Sequence, residues 1–289
     1  MLKGYTKQEI SWMMYDWANS AHSVIIVTLL PIFFDTVAGY TADSVSSMST
    51  WGYATSIAML IVALAAPFLG VFGDIRGMRK KLFSFFMLLG VAACAGMAFT
   101  PGMDFTSGPV AAGKVASLIL VLYIVSVIGF DASAIYYDAF LTDVTTEDRM
   151  DKVSTMGYGL GYIGGSTIPL LIFLIMNLVG VPMLTCLAFV FGLTAVWWLA
   201  FSLPLLKNCE QTSGKPYEKG DVARSIKGVG TTIKEIIANK PMLIYILSYF
   251  FYIDGVHTVI SMATTYGTNL GLDSTGMMLA LLLVQILGL

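Results

Sequence analysis

Six ionisable side chains interrupt the apolar stretches of this 289-residue chain: Asp16 and His22, Asp131 and Asp138, Asp254 and His257. An ionisable group at the centre of a bilayer costs about 2.5–3.5 kcal/mol, so each one needs a reason to be there. Spacing supplies one for the first pair. Asp16, Asn19, Ser20 and Ser23 fall at i, i+3, i+4 and i+7, a polar stripe down one side of a helix, with His22 just off it. The last pair repeats the arrangement with Asp254, His257, Thr258, Ser261 and Thr265. Stripes of this kind line a wet cavity, where carboxylates and imidazoles exchange protons or grip a polar solute. Asp131 and Asp254 lie furthest from any interface. Asp16 reads equally as a charge near a helix start, favoured by the helix dipole, and either histidine as a hydrogen-bonded packing residue. Asp138 and Asp143, near another helix end, read as partners in structural ion pairs, with Arg149 nearby in sequence.

Other chemistry finds no residues to run it. Cys94, Cys186 and Cys209 have no paired spacing, so neither a disulfide framework nor a metal site is expected. No Ser-His-Asp set or phosphate loop is present, so neither an enzyme nor a bound cofactor is expected.

The elements that position these groups are membrane spans. At 57% apolar and 12% charged residues, the chain is too greasy for a soluble domain. A span needs about 20 apolar residues, and runs near 17–36, 52–72, 82–100, 115–138, 155–178, 183–205, 241–264 and 274–289 approach or meet that length. Every Lys and Arg except Lys114 lies in alternate gaps between them: Lys3 and Lys7, Arg76 to Lys81, Arg149 and Lys152, then Lys207 to Lys240. Basic loops stay in the cytoplasm, so the N-terminus is expected there and the chain crosses at each run. Charge sorted in this way leaves no basic patch for a nucleic acid. The first run, opening on Trp12-Met13-Met14-Tyr15-Asp16-Trp17, lacks a small-residue cleavage pattern and reads as a retained span.

Three units are expected: a six-span bundle over 1–206, a cytoplasmic loop over 207–240, and the start of a second bundle over 241–289. Within the loop, Val222, Ile226, Val229, Ile233, Ile236 and Ile237 alternate with Arg224, Lys227 and Lys234. That pattern suits an amphipathic helix on the inner membrane surface. Gly228 and Gly230 favour a solvated linker instead. The eighth run is about five residues short of a full span, which suggests a longer protein cut within that helix. In span five, Gly157, Gly161 and Gly165 form a GxxxGxxxG series, a face for close helix packing.

Motifs narrow the class. Gly70-Val71-Phe72-Gly73-Asp74-Ile75-Arg76-Gly77-Met78-Arg79-Lys80-Lys81 resembles the signature loop of the major facilitator superfamily, G-x-x-x-D-R-x-G-R-[RK]. Gly70, Asp74 and Gly77 stand in place, whereas Ile75 and Met78 replace basic residues, with Arg76 and Arg79 one position later. Three stretches look like the vacuole-effluxer-like branch of that superfamily: Tyr15 to Ala21 (YDWANSA), Tyr137-Asp138-Ala139-Phe140-Leu141 running on to Gly165, and Phe251 to Thr258.

The resemblance implies an all-α polytopic membrane protein of the major facilitator fold, its first six-helix bundle complete and its second cut within span eight. The first helix of each three-helix repeat, here spans one, four and seven, would line a central cavity. Those are the spans that carry the buried charges. It also implies a secondary transporter, in this reading a monomer in a prokaryotic plasma membrane. A small-molecule substrate, with amino acids as the family's suggestion, and protons would be its partners alongside the lipid bilayer. Asp16, Asn19, His22, Asp131, Asp254 and His257 would then serve substrate or proton, and Gly70, Asp74, Arg76, Gly77, Arg79 and Lys80 the gating loop. The rival readings are a non-transporting membrane sensor or scaffold with the same fold, and an inert truncated product.

Overall fold

A computed structural model describes residues 2–41, 46–216 and 221–287, with the side chains of 221–226 and a few in the last helix left outside the description. Among the described residues every named element is a helix, and the connecting loops hold one isolated β-bridge, between Ile75 and Lys215. That is what a bilayer demands, since backbone polar groups there must be satisfied within the segment. Helices α1 (Lys7–Ala38), α2 (Ser47–Gly73), α3 (Arg79–Met97) and α4 (Pro109–Val144) form the first four spans. Span five is composite: α5 (Met150–Leu160), a π-helical turn (Gly161–Ser166) and α6 (Thr167–Leu178). Then come α7 (Met183–Asn208), α8 (Asp221–Ala238), α9 (Lys240–Asn269) and α10 (Ser274–Leu287). Seven of the described helical stretches are long and apolar enough to cross a membrane; α10, with 14 residues, is shorter.

Local chemistry sets the helix starts. Thr6 and Glu9 form a reciprocal capping box on α1, with Glu9 N donating to Thr6 Oγ1 at 3.1 Å and Thr6 N to Glu9 Oε2 at 2.7 Å. Ser46 caps α2 and Asn239 caps α9 more simply, each side chain accepting from one backbone N–H of the first turn. Pro109 opens α4, where its missing N–H is no loss.

α1 is the axle of the first bundle, mostly buried between α4, span five and α7. By contrast, little of α2 is buried. α3 and α4 approach each other closely. A Cβ on Gly129 would stand 2.5 Å from Gly90 N and 2.8 Å from the Phe86 carbonyl oxygen. Aromatic rings fill the interior of the bundle, with Trp51, Trp198, Tyr15, Tyr136 and Phe83 fully buried. α9 meets α1 through its second half, where Thr264, Thr265 and Gly267 are buried and Thr264 Oγ1 donates to the Val27 carbonyl at 3.3 Å. α8 occupies the stretch expected to be amphipathic, despite Gly228 and Gly230, and leaves Ile233 and Ile237 exposed. Val222, Arg224 and Ile226 lie outside the described side chains.

Candidate functional site

Asp16 sits half-buried at the meeting point of α1, α4 and α5. Its Oδ2 accepts from the Tyr137 hydroxyl at 2.7 Å. The same oxygen occupies the space that a Cβ on Gly157 would need. Tyr137 is itself held on two sides. Its ring stacks on Trp12 with centroids 4.3 Å apart, and its carbonyl accepts from Trp12 Nε1 at 2.9 Å. Two sequence features thus meet, the polar stripe of span one and the glycine series of span five. A Cβ on Gly161 would fall 2.6 Å from Ser20 Oγ, and one on Gly165 would fall 2.5 Å from the Trp17 carbonyl. Gly164, beside the series, gives its space to the Trp17 indole. Here the span runs as a π-helical turn, and Thr167 Oγ1 donates to the Tyr162 carbonyl at 2.7 Å. Turns of this kind are often found at functional sites.

Asn19 and His22 turn inward from that junction and are buried. Ser126 Oγ lies 2.8 Å from the Tyr123 carbonyl and shares a 3.2 Å hydrogen bond with His22 Nε2. His22 Nδ1 is buried with no partner among the described residues, and the ring stacks on Phe130 at 4.8 Å. Two turns lower, Tyr15 shares a 2.8 Å hydrogen bond with Ser133 and accepts from Trp198 Nε1 at 3.3 Å. Asp131 is half-buried on α4, and its Oδ2 has no hydrogen-bond partner among the described residues. Asp254 and His257 are exposed on α9 and are not brought into contact with the α1–α4 groups.

The basic end of the bundle holds a second constellation. Arg79 is buried, and its Nη1 donates to the Asp143 carboxylate, to the Ala139 carbonyl at 2.9 Å and to Ser213 Oγ at 3.2 Å. Asp143 Oδ1 also accepts from the backbone and hydroxyl groups of Thr212 and Ser213, four bonds of 2.8–3.0 Å. The peptide after α7 therefore lies against the loop between α2 and α3. Gln211 spans that loop: its Oε1 accepts from Gly77 N at 2.8 Å and Arg79 N at 3.3 Å, and its Nε2 donates to the Gly73 carbonyl at 3.0 Å. Arg76 N and Lys215 N complete the bridge. Gly77, at φ +80°, holds a conformation that L side chains rarely adopt. Gly70 has open space where a side chain would go. Asp74 and Arg76 are exposed, Asp74 lying 3.9 Å from Arg79, and Lys80 Nζ donates to the Cys209 carbonyl at 3.1 Å.

The remaining acidic candidates separate. Asp143 pairs with Arg79, and Arg149 pairs with Glu9 through Nε at 2.8 Å and Nη2 at 2.9 Å, while Asp138 is exposed and makes no ion pair among the described residues. Sequence reasoning passed over Glu9, Gln211 and the Gly90–Gly129 contact. A T-x-x-E capping signature marked Glu9; nothing local marked Gln211.

The model of the family described as "Vacuole effluxer Atg22 like" matches residues 36–150 and 142–289. The chain belongs to that family. It is 40% identical over 99% of its length to a Bacillus subtilis (strain 168) protein described as an uncharacterized MFS-type transporter, YxiO, and spans 66% of that relative. It is 26% identical to an autophagy-related protein 22-1 from Penicillium rubens, over 47% of this chain and 25% of that one. A protein of the same description from Sclerotinia sclerotiorum is also 26% identical, over 40% of this chain and 22% of its own length. With the apolar helices above, the Atg22-like family places the chain among multi-pass membrane proteins of the major facilitator fold. The Bacillus subtilis relative is described as a transporter and the matching family as an effluxer, and neither description names an enzyme.

Proposed function

We propose that the protein is a secondary transporter that moves a small polar solute, with amino acids as the first class to test, by rocking two helical bundles about a midplane site. In this reading the movement is coupled to protons, the N-terminus is cytoplasmic and the host membrane is a prokaryotic plasma membrane. The observation that carries it is Asp16: a half-buried carboxylate, in no ion pair among the described residues, where spans one, four and five meet. The partnerless oxygen of Asp131 supports it, because a buried carboxylate without a cation is costly unless it serves something that comes and goes. Asp254 and His257 are the corresponding groups on span seven.

The test is uptake of radiolabelled amino acids into proteoliposomes under an imposed pH gradient, with Asp16→Asn, Asp131→Asn and Asp254→Asn run beside the native protein. Gradient-driven uptake of at least one amino acid, lost in one or more variants, is expected. Uptake indifferent to the gradient would remove proton coupling. No flux of any amino acid would favour the scaffold reading.

A further inference from the structure

We infer that Tyr137 is the positioning residue for Asp16: its hydroxyl takes up Oδ2, leaves Oδ1 for the proton or solute, and ties the charge of Asp16 to the grip between spans one, four and five. This rests on the proposed role of Asp16. Three observations carry it.

The phenol is rigidly presented. Trp12 both stacks on the Tyr137 ring and hydrogen-bonds its backbone, and Tyr15 closes another side with ring centroids 4.8 Å apart. A hydroxyl held in this way reaches Asp16 without the entropy loss of ordering a free side chain.

The acceptor is confined as well. Oδ2 lies over Gly157, in space that any side chain there would take, so the carboxylate packs directly against the backbone of span five. Among the described residues, the other ionisable groups around Asp16 are Tyr15 on its own helix, Asp138 on α4 and Tyr158 on α5. None of them is a cation, which leaves the Tyr137 donor as the group that answers the charge.

Finally, the bond depends on charge. A hydroxyl donating to an ionised carboxylate makes roughly twice the bond it makes to a neutral one. Loading Asp16 with a proton or a cationic solute group weakens its link to α4, with Tyr137 keeping its own proton. The site thereby acts on the packing of the three spans that meet there.

Infrared difference spectroscopy on the purified protein, with pH steps as the only perturbation, tests this directly. The carboxyl band of Asp16 is the one lost in Asp16→Asn. In Tyr137→Phe that band is expected to move to higher wavenumber, because its C=O has lost a donor; an unmoved band in the folded variant overturns the inference. Should Tyr137→Phe not fold, or no Asp16 band emerge, ultraviolet resonance Raman of Asp16→Ala decides. Removing the acceptor should change the hydrogen-bond signature of one tyrosine, and an unchanged tyrosine spectrum overturns the inference equally. No solute is involved, so failure of the uptake assay would remove the transport reading and leave this bond to be judged separately.

Discussion

Arg79 donates into the Asp143 carboxylate with both side chains withdrawn from solvent, 6% and 0% exposed. The two partners are not equal. Asp143 keeps four further donors from Thr212 and Ser213, whereas Arg79 has, among the described residues, the Ala139 carbonyl, the Ser213 hydroxyl and the solvent-exposed Asp74 carboxylate 3.9 Å away besides its carboxylate. Breaking a buried pair costs about 3–5 kcal/mol when a charge is left uncompensated. Asp143→Ala should therefore destabilise at the upper end of that range and Arg79→Met at or below the lower end. Thermal unfolding in detergent checks the order, and equal losses would contradict it.

Gln211 holds the α2–α3 loop through three hydrogen bonds, two of them to the amides of Gly77 and Arg79. Neutral hydrogen bonds contribute about 0.5–1.5 kcal/mol each. Gln211→Ala should release the loop without unfolding the bundle, and exchange at those two amides should quicken by roughly tenfold or more. Hydrogen exchange followed by mass spectrometry reads it. Protection unchanged at 76–79 would mean that the backbone bridge to Lys215 suffices.

Cys209 follows α7 directly, buried, with its thiol donating to the Gln8 carbonyl at 3.6 Å. Burial, partly offset by the Lys80 charge, pushes this thiol up to about 12. The thiolate is the reactive form, so only about one molecule in ten thousand is ionised at pH 8. Maleimide should leave Cys209 unlabelled in the native protein at that pH and label it on unfolding. The sign follows from linkage: the unfolded thiol ionises near its ordinary value of 9.0 and the folded one does not. Stability from this group is thus intact below pH 9 and declines above it. Loss of that decline in Cys209→Ala is the check.

Much of this was legible in the sequence for one reason: bilayer energetics are local. Apolar length and the alternation of basic gaps mark spans one to seven without knowledge of any contact. Asp16, Gly157 and Gly161 could be singled out for the same reason, as charge where charge is costly and small residues at helical spacing. Their mutual contact was not legible, because spacing along one helix does not say which face of another it meets. Gln211 and Gly129 stayed hidden on similar grounds. A glutamine in a polar segment, or a lone glycine in an apolar run, carries no local signature of a partner more than 30 residues away. Asp138 shows the reverse case: its position near a helix end suggested an ion pair, but the cations nearby are taken by Asp143 and Glu9.

Three glycines rank that hidden packing experimentally. At Gly129 a methyl group would meet the backbone of Gly90 and Phe86, so α3 and α4 must part to admit it. At Gly164 it would meet the end of the Trp17 indole, which is stacked on Trp197 at 6.3 Å and can shift only by disturbing that pair. At Gly159 nothing lies within 4 Å. Overpacking costs about 1–3 kcal/mol where side chains can still yield, while alanine in an open helical position gains up to about 1 kcal/mol over glycine. Gly159→Ala should therefore match or exceed the native unfolding temperature, Gly164→Ala should fall below it, and Gly129→Ala should fall furthest. A Gly129→Ala protein as stable as the native one would mean that α3 and α4 do not approach through Gly90 and Gly129.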